Sequence, residues 1–60
     1  MPFVTVKEDD KITIHFDPDF VASVIESSEE SGMTIILKSG QRITTADEES
    51  MRLVRVALAL

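Results

Sequence analysis

The stretch from Met33 to Thr45, MTIILKSGQRITT, constrains the fold of this chain more than any other part of it. Two runs rich in β-branched residues, Met33 to Leu37 and Arg42 to Thr45, flank the four residues Lys38 to Gln41. β-Branched side chains favour strands, and Ser-Gly supplies the positive-φ position that a tight connection needs. The stretch therefore predicts a β-hairpin.

A second hairpin is predicted near the start of the chain. Phe3 to Lys7 and Ile12 to Phe16 both alternate apolar and polar residues, which is typical of a strand with one buried face. The acidic residues Glu8 to Asp10 and then Lys11 lie between them. We expect these four residues to form the turn.

The segment between the hairpins, DPDFVASVIESSEESG, allows two interpretations. Asp17 and Pro18 are a good N-cap and N1 pair, and four apolar residues of the segment fall on one helical face, which favours a short helix. The chain would then consist of two ββα units, a ββαββα fold.

The other interpretation replaces this helix by a turn and a strand. Three of the four apolar residues are β-branched and the segment is rich in serine, so its intrinsic helix propensity is poor. Pro18 to Phe20 is then a turn, and Ala22 to Glu26 is a strand that pairs with Met33 to Leu37 across the loop Ser27 to Gly32.

A C-terminal helix is predicted from the capping pattern T-x-x-E at Thr45 to Glu48. In such a box the Thr45 hydroxyl accepts from the Glu48 amide, so we expect the helix to begin at Ala46. Glu48 and Arg52 have the favourable i, i+4 spacing of an ion pair.

The apolar residues of this helix cover an arc of roughly 220° when they are placed at 100° steps, which is more than one sheet face needs. The surplus predicts an interface with another copy of the chain or with another protein. The predicted interface residues are Met51, Leu53, Val54, Val56, Leu58 and Leu60. In a second interpretation the apolar end only wraps the edge of its own domain, and in a third the alternating residues Val54, Val56, Leu58 and Leu60 form a strand.

Together these elements predict a single small α+β domain over residues 1–60, an antiparallel meander of four or five strands covered by one C-terminal helix. A chain of 60 residues buries only about 60% of the surface that its unfolded form exposes, so its margin of stability is thin. With no cysteine and one histidine, disulfides and a structural metal are not expected. Association of subunits is the remaining means of stabilisation, so we expect a homo-oligomer.

Catalytic, cofactor and metal sites are not expected. His15 is the only imidazole, it alternates with the apolar residues of its strand, and no cysteine, tyrosine or serine elbow accompanies it. A calcium loop beginning at Asp17 would place Ala22 and Ser28 at the positions that require glycine and glutamate. The sequence therefore predicts a protein that is not an enzyme.

The charge of the chain is acidic, with eleven acidic and six basic residues and a net charge of −5. The acidic surface is predicted to contain Glu8, Asp9, Asp10, Asp17 and Asp19, joined by Glu26, Glu29 and Glu30. Solvation is the simpler explanation of these carboxylates. The alternative function is a small phage-type inhibitor whose carboxylates imitate phosphates and block a nucleic-acid-binding or enzyme surface. No window has the pattern of a signal peptide or a membrane span, so we expect a cytoplasmic protein without membrane contact.

The order of these elements resembles the FlbD-type small flagellar proteins and similar short phage and bacterial proteins. DPDFVASVIES stands in the place of the asparagine-proline-aspartate turn and strand of that family, TIILKSGQRITT matches its glycine hairpin, and ADEESMRLV matches its acidic helix entry. The turn EDDK, the longer loop after Ser27 and the more apolar C-terminal helix depart from that pattern. The resemblance implies a strand at Ala22 to Glu26 and a small regulatory or accessory protein that acts through contacts.

The acidic balance generates a first prediction. We expect no measurable affinity for DNA or RNA at physiological salt, because each phosphate contact requires a cation and the six cations are dispersed and outnumbered. A gel shift checks this, and tight binding that weakens as salt is added would contradict it.

Overall fold

The computed structural model describes residues 3–60, and in these residues five strands precede one α-helix. In chain order they are β1 (Val4–Lys7), β2 (Thr13–Phe16), a short 3₁₀ helix (Pro18–Phe20), β3 (Val21–Glu26), β4 (Met33–Leu37), β5 (Arg42–Thr45) and α1 (Glu48–Leu58). The predicted α+β class, the two hairpins and the C-terminal helix are confirmed.

The first hairpin pairs β1 with β2 in antiparallel register, with Val4 opposite Phe16. Its turn is organised by one carboxylate, because Asp9 Oδ1 accepts hydrogen bonds from the backbone N–H groups of Lys11 at 2.7 Å and Ile12 at 2.9 Å. An aspartate that binds amides two and three residues later is a common way to close a turn without glycine. The acidic residues of this turn are therefore compatible with a tight connection.

The strand interpretation of the segment after the first hairpin is confirmed, and the alternative ββαββα fold is wrong. Asp17 Oδ1 accepts from the N–H of Asp19 at 2.9 Å and starts a single 3₁₀ turn. β3 then pairs antiparallel with β4, with a change of register between Val21 and Ser23 that marks a β-bulge. The β-branched residues of the segment favour the sheet because each pairs there with a neighbour on β4.

The strands form two sheets, so the prediction of one continuous meander is partly wrong. β1 and β2 form a two-stranded sheet, and β3, β4 and β5 form a three-stranded antiparallel sheet in chain order. The break falls at Pro18–Phe20, where the 3₁₀ turn separates β2 from β3. The turn between β4 and β5 has Gly40 at φ 93°, as the Ser-Gly pair predicts.

The core lies between the two sheets and α1. Its buried members come from all three, which shows that neither sheet alone covers the helix. They are Val4, Val6, Phe16, Met33, Ile35, Leu37, Ile43, Met51 and Val54.

A network of polar side chains joins β1 to the start of α1. The backbone N–H of Lys7 donates to Ser50 Oγ at 2.9 Å, and the Thr45 hydroxyl donates to the Lys7 carbonyl at 2.7 Å. Ser50 Oγ in turn donates to Asp47 Oδ2 at 2.8 Å. We call these four residues, Lys7, Thr45, Asp47 and Ser50, the Lys7 latch. Because Thr45 and Ser50 are buried, the latch satisfies both backbone groups of Lys7 without water.

The latch explains why the predicted capping box at Thr45 is wrong. The Thr45 hydroxyl accepts from the Asp47 N–H at 3.1 Å and donates to β1, so it is not the cap of the helix. Asp47 is the N-cap, because its carboxylate accepts from the N–H of Ser50 at 2.9 Å, and α1 begins at Glu48. Two acids in the first turn, Glu48 and Glu49, suit the positive end of the helix dipole.

We expect Thr45→Val to lower the free energy of unfolding by about 1–3 kcal/mol, because the Lys7 carbonyl would lose a buried donor while the shape of the side chain is kept. Urea denaturation measures the change. Thr44→Val is the matched control, because the Thr44 side chain is exposed on the other face of the same strand. Equal effects of the two variants would contradict a role for the latch.

Candidate interaction surface

The structure divides the six predicted interface residues of α1 into three pairs. Met51 and Val54 are buried in the core of the same chain, with 3% and 0% of their surface exposed. Leu53 and Leu58 are half-buried against that core. Val56 and Leu60 remain 69% and 66% exposed. More of the apolar arc of α1 is buried than one sheet face could cover, because the first hairpin and the three-stranded sheet both pack on the helix.

The C-terminal residues do not form a strand, so that interpretation is wrong. α1 continues to Leu58, and Ala59 then adopts the left-handed conformation at φ 58°. The N–H of Leu60 donates to the Arg55 carbonyl at 2.9 Å and closes the last turn. This termination is of the type that usually has glycine, and it leaves the Leu60 side chain exposed just beyond the helix.

An apolar groove with a volume of about 420 Å³ lies between α1 and the first hairpin. The helix contributes Leu53, Val56 and Ala57 to it. The facing wall comes from β1, the residue before it and the 3₁₀ turn, namely Phe3, Val4, Thr5 and Pro18. We call this feature the α1 groove. Phe3 is 62% exposed beside it, so several large apolar side chains are adjacent on one surface rather than scattered.

The sequence indicates the helix side of the α1 groove but not the facing wall. Phe3 belongs to a predicted strand and Pro18 to a predicted turn, and nothing in either pattern says that they meet Val56. They meet because the antiparallel path brings the start of β1 and the end of β2 to the C-terminal half of the helix. Phe3 and Pro18 could have been assigned to the groove only by predicting that the helix packs on the first hairpin.

The antiparallel path also collects most carboxylates at the other end of the molecule. The ends of β1, β3 and β5 lie together there. Lys7 at the end of β1 is hydrogen-bonded to Thr45 at the end of β5. Met33 at the start of β4 pairs with Glu26 at the end of β3 on one side and with Thr45 on the other. We call the nine carboxylates that follow these strand ends the acidic end. They are Glu8, Asp9, Asp10, Glu26, Glu29, Glu30, Asp47, Glu48 and Glu49.

The predicted acidic surface is therefore split by the structure. Glu8, Asp9 and Asp10 belong to the acidic end, whereas Asp17 and Asp19 lie at the opposite end, beside the turn that follows β2. Several of these carboxylates also have a local role. Asp9 and Asp17 bind backbone N–H groups of their own turns, and Glu8 Oε2 accepts from the Thr44 N–H at 3.4 Å.

Two arginines of α1 neutralise part of the acidic end. Arg52 binds Glu49 through two hydrogen bonds, so the predicted pair of Glu48 with Arg52 is wrong, and the pKa of Glu49 is lowered chiefly by the hydrogen bond from Arg52. Arg55 donates to Glu26 Oε1 at 2.7 Å and joins the helix to β3. This hydrogen bond to the Glu26 carboxylate raises the pKa of Arg55. Both pairs are exposed, so each contributes little to stability.

The candidate chemical groups are not gathered into a site. His15 is exposed, and its Nδ1 shares a hydrogen bond of 2.9 Å with the Thr5 hydroxyl across the hairpin. In residues 3–60, no group of three or more histidine, cysteine, aspartate or glutamate side chains is arranged to hold a metal ion.

No helix in the described part of the chain has both the length and the apolar character needed to cross a membrane. No protein-family model matches this chain, and no curated protein and no solved structure is significantly similar to it.

The cap of α1 generates a prediction on pH. Two hydrogen bonds from Ser50 hold the pKa of Asp47 below its ordinary value. A lowered folded-state pKa gives stability that is present above the unfolded value of about 3.9 and is lost as the pH falls through the folded value. We expect Asp47→Asn to remove part of the loss of stability in acid, measured by urea denaturation from neutral pH downwards.

The control for that change of net charge is Asp10→Asn, at an exposed position of the first turn. If the two substitutions reduced the pH dependence of the free energy of unfolding by the same amount, a contribution specific to Asp47 would be contradicted.

Proposed function

We propose that this chain is a non-catalytic interaction module that self-associates through the α1 groove and the exposed residues beside it. The observation that supports this proposal is that Phe3, Leu53 and Val56 line one apolar groove on a domain of only 60 residues. Isolated apolar residues are normal on a surface, but contiguous ones are typical of an interaction site.

A dimer interface of standard size would be a large share of the surface of so small a chain. A standard interface covers about 800 Å² on each partner. The total accessible surface of this chain is 4180 Å², so one such interface would cover about a fifth of it. Burial of apolar surface contributes about 25 cal/mol per Å², which is a large gain for a domain whose own core gives a thin margin.

The biological role that we infer is regulatory or accessory, exerted in the cytoplasm by contact with another protein. The pattern resemblance to FlbD-type small flagellar proteins supports this role, because that resemblance implies a small regulatory or accessory protein that acts through contacts.

The second candidate function is the acidic inhibitor of a nucleic-acid-binding or enzyme surface. The collection of nine carboxylates at the acidic end favours it, because a decoy needs negative charge concentrated on one surface. The arginine pairs at Glu26 and Glu49 and the turn-closing role of Asp9 weaken it. The two candidates differ in salt dependence: a carboxylate decoy loses its target as salt is added, whereas an apolar interface does not.

We expect Val56→Lys to convert the self-associated protein to monomer and to make its melting temperature independent of protein concentration. A lysine in the α1 groove would have to lose its hydration on association, which is costly without a partner charge. Sedimentation at tens of micromolar measures the assembly. Leu58 is unsuitable for this test because it packs against the core, so that its replacement would also affect folding.

Ile25→Lys is the matched control. Ile25 is also β-branched and 55% exposed, but it lies on the edge strand β3, outside the α1 groove. Lysine at an edge strand is well tolerated. The self-association proposal fails if the parent protein sediments as a monomer, or if Ile25→Lys dissociates it as strongly as Val56→Lys.

A further inference from the structure

The hydrogen bonds of the Lys7 latch form a closed ring. The N–H of Lys7 donates to Ser50 Oγ at 2.9 Å, and Ser50 Oγ donates to the Asp47 carboxylate at 2.8 Å. The N–H of Asp47 donates to Thr45 Oγ1 at 3.1 Å, and Thr45 Oγ1 donates to the Lys7 carbonyl at 2.7 Å. Within the ring each residue donates once and accepts once, all in the same direction. Hydrogen bonds in such a chain polarise and strengthen one another.

The backbone of Lys7 can join this ring because it faces away from β2. In an antiparallel pair of strands, residues that exchange ladder hydrogen bonds alternate with residues that do not. The N–H of Glu8 donates to the Ile12 carbonyl at 3.0 Å, so the next bonded pair along the hairpin is Val6 with Ile14. Both backbone groups of Lys7 therefore depend on the two hydroxyls of the latch.

Water is a poor substitute for these two hydroxyls, because Thr45 and Ser50 are only 1% and 3% exposed. Loss of the Ser50 hydroxyl would leave the Lys7 N–H without an acceptor and would remove a donor from Asp47. Each buried group that loses its partner costs its own desolvation. A break at β1 is therefore costly at the start of α1, and the reverse is also true.

The three-stranded sheet is built independently of this ring. Within residues 3–60, neither β1 nor β2 pairs with that sheet, and the short 3₁₀ helix Pro18–Phe20 is the chain between them. The sheet has its own ladder, in which Ile35 pairs with Ile43. The bond from the Thr44 N–H to Glu8 Oε2 also joins the hairpin to the sheet, but it is long, at 3.4 Å.

We propose that the Lys7 latch is a conformational coupling device, through which the first hairpin and the first turn of α1 open and close as one unit, separately from the three-stranded sheet. The coupling goes beyond the proposed function and does not depend on self-association. Coupling of this kind is reciprocal. A partner that holds the first hairpin closed therefore also stabilises the start of α1, and a partner that opens the hairpin frays the helix.

Ser50→Ala separates this coupling from local helix propensity. Alanine is a better helix former than serine, and the backbone N–H at this position keeps the Asp47 carboxylate as its acceptor. Helix propensity alone therefore predicts a firmer first turn in the variant. The coupling predicts a looser first turn, because the ring that holds β1 against it is broken.

Amide hydrogen exchange followed by NMR measures the opening of each element separately. The Met51 N–H reports on the start of α1, because it donates to the Asp47 carbonyl at 3.0 Å. The Val6 N–H reports on the first hairpin and is not a member of the ring. The Ile35 N–H reports on the three-stranded sheet.

In Ser50→Ala we expect exchange at Val6 and Met51 to accelerate by the same factor, about tenfold, which is the effect of one buried group left without a partner. Exchange at Ile35 accelerates less. Thr45→Val, which breaks the ring on its other side, has the same pattern. Thr44→Val is the matched control and leaves exchange at Val6 and Met51 unchanged, because its side chain lies on the exposed face of β5.

An unchanged or slower exchange at Met51 in Ser50→Ala would overturn the coupling, and so would an effect of Thr44→Val as large as that of Ser50→Ala. An equal acceleration at all three amides would overturn the separate opening of the unit. If the variants do not fold, the parent protein decides. Its exchange at Val6 and Met51 must have one urea dependence, smaller than that at Ile35. Two different dependences, or one shared by all three amides, would overturn the proposal.

Discussion

The rest of the structure depends on the way the backbone of Lys7 is held by two side chains from the far end of the chain. Ser50 receives its N–H and Thr45 donates to its carbonyl, so the last residue of β1 is bound to the end of β5 and the start of α1 at once. No strand of one sheet pairs with a strand of the other. The bond from Thr45 to Lys7 therefore connects the two sheets through a side chain, together with the longer bond from the Thr44 N–H to Glu8 Oε2. Because Asp47 caps the helix through Ser50, the same network also fixes where α1 begins.

The hairpins could be predicted because their signals lie in neighbouring residues. The helix cap and the burial of the helix could not, because they depend on contacts with distant parts of the chain. The Ser39-Gly40 turn and the alternation of apolar and polar residues in β1 and β2 can be recognised from consecutive residues. The cap was not predictable in the same way, because Thr45 and Asp47 both fit an N-cap and only the presence of Lys7 removes Thr45 from the role. The extent of the exposed apolar surface was also overpredicted, since a helical projection does not show that two sheets share the helix.

The distribution of charge gives the surface its character. The sequence has acids in each of several turns and offers no reason to group them, but strands that run alternately up and down bring every second turn to the same end. Turns after β1, β3 and β5 are acidic and turns after β2 and β4 are less so. A surface on which most of the carboxylates lie at one end of the molecule follows from this alternation.

The bulge in β3 has a consequence for assembly. β3 is an edge strand with no neighbour on its outer side, and a regular edge of six residues would be a template on which further copies could add strand to strand without limit. The change of register between Val21 and Ser23 interrupts that template, and Glu26 places a charge at its end. A chain whose edge strand is interrupted in this way has an obstacle to the growth of open fibres.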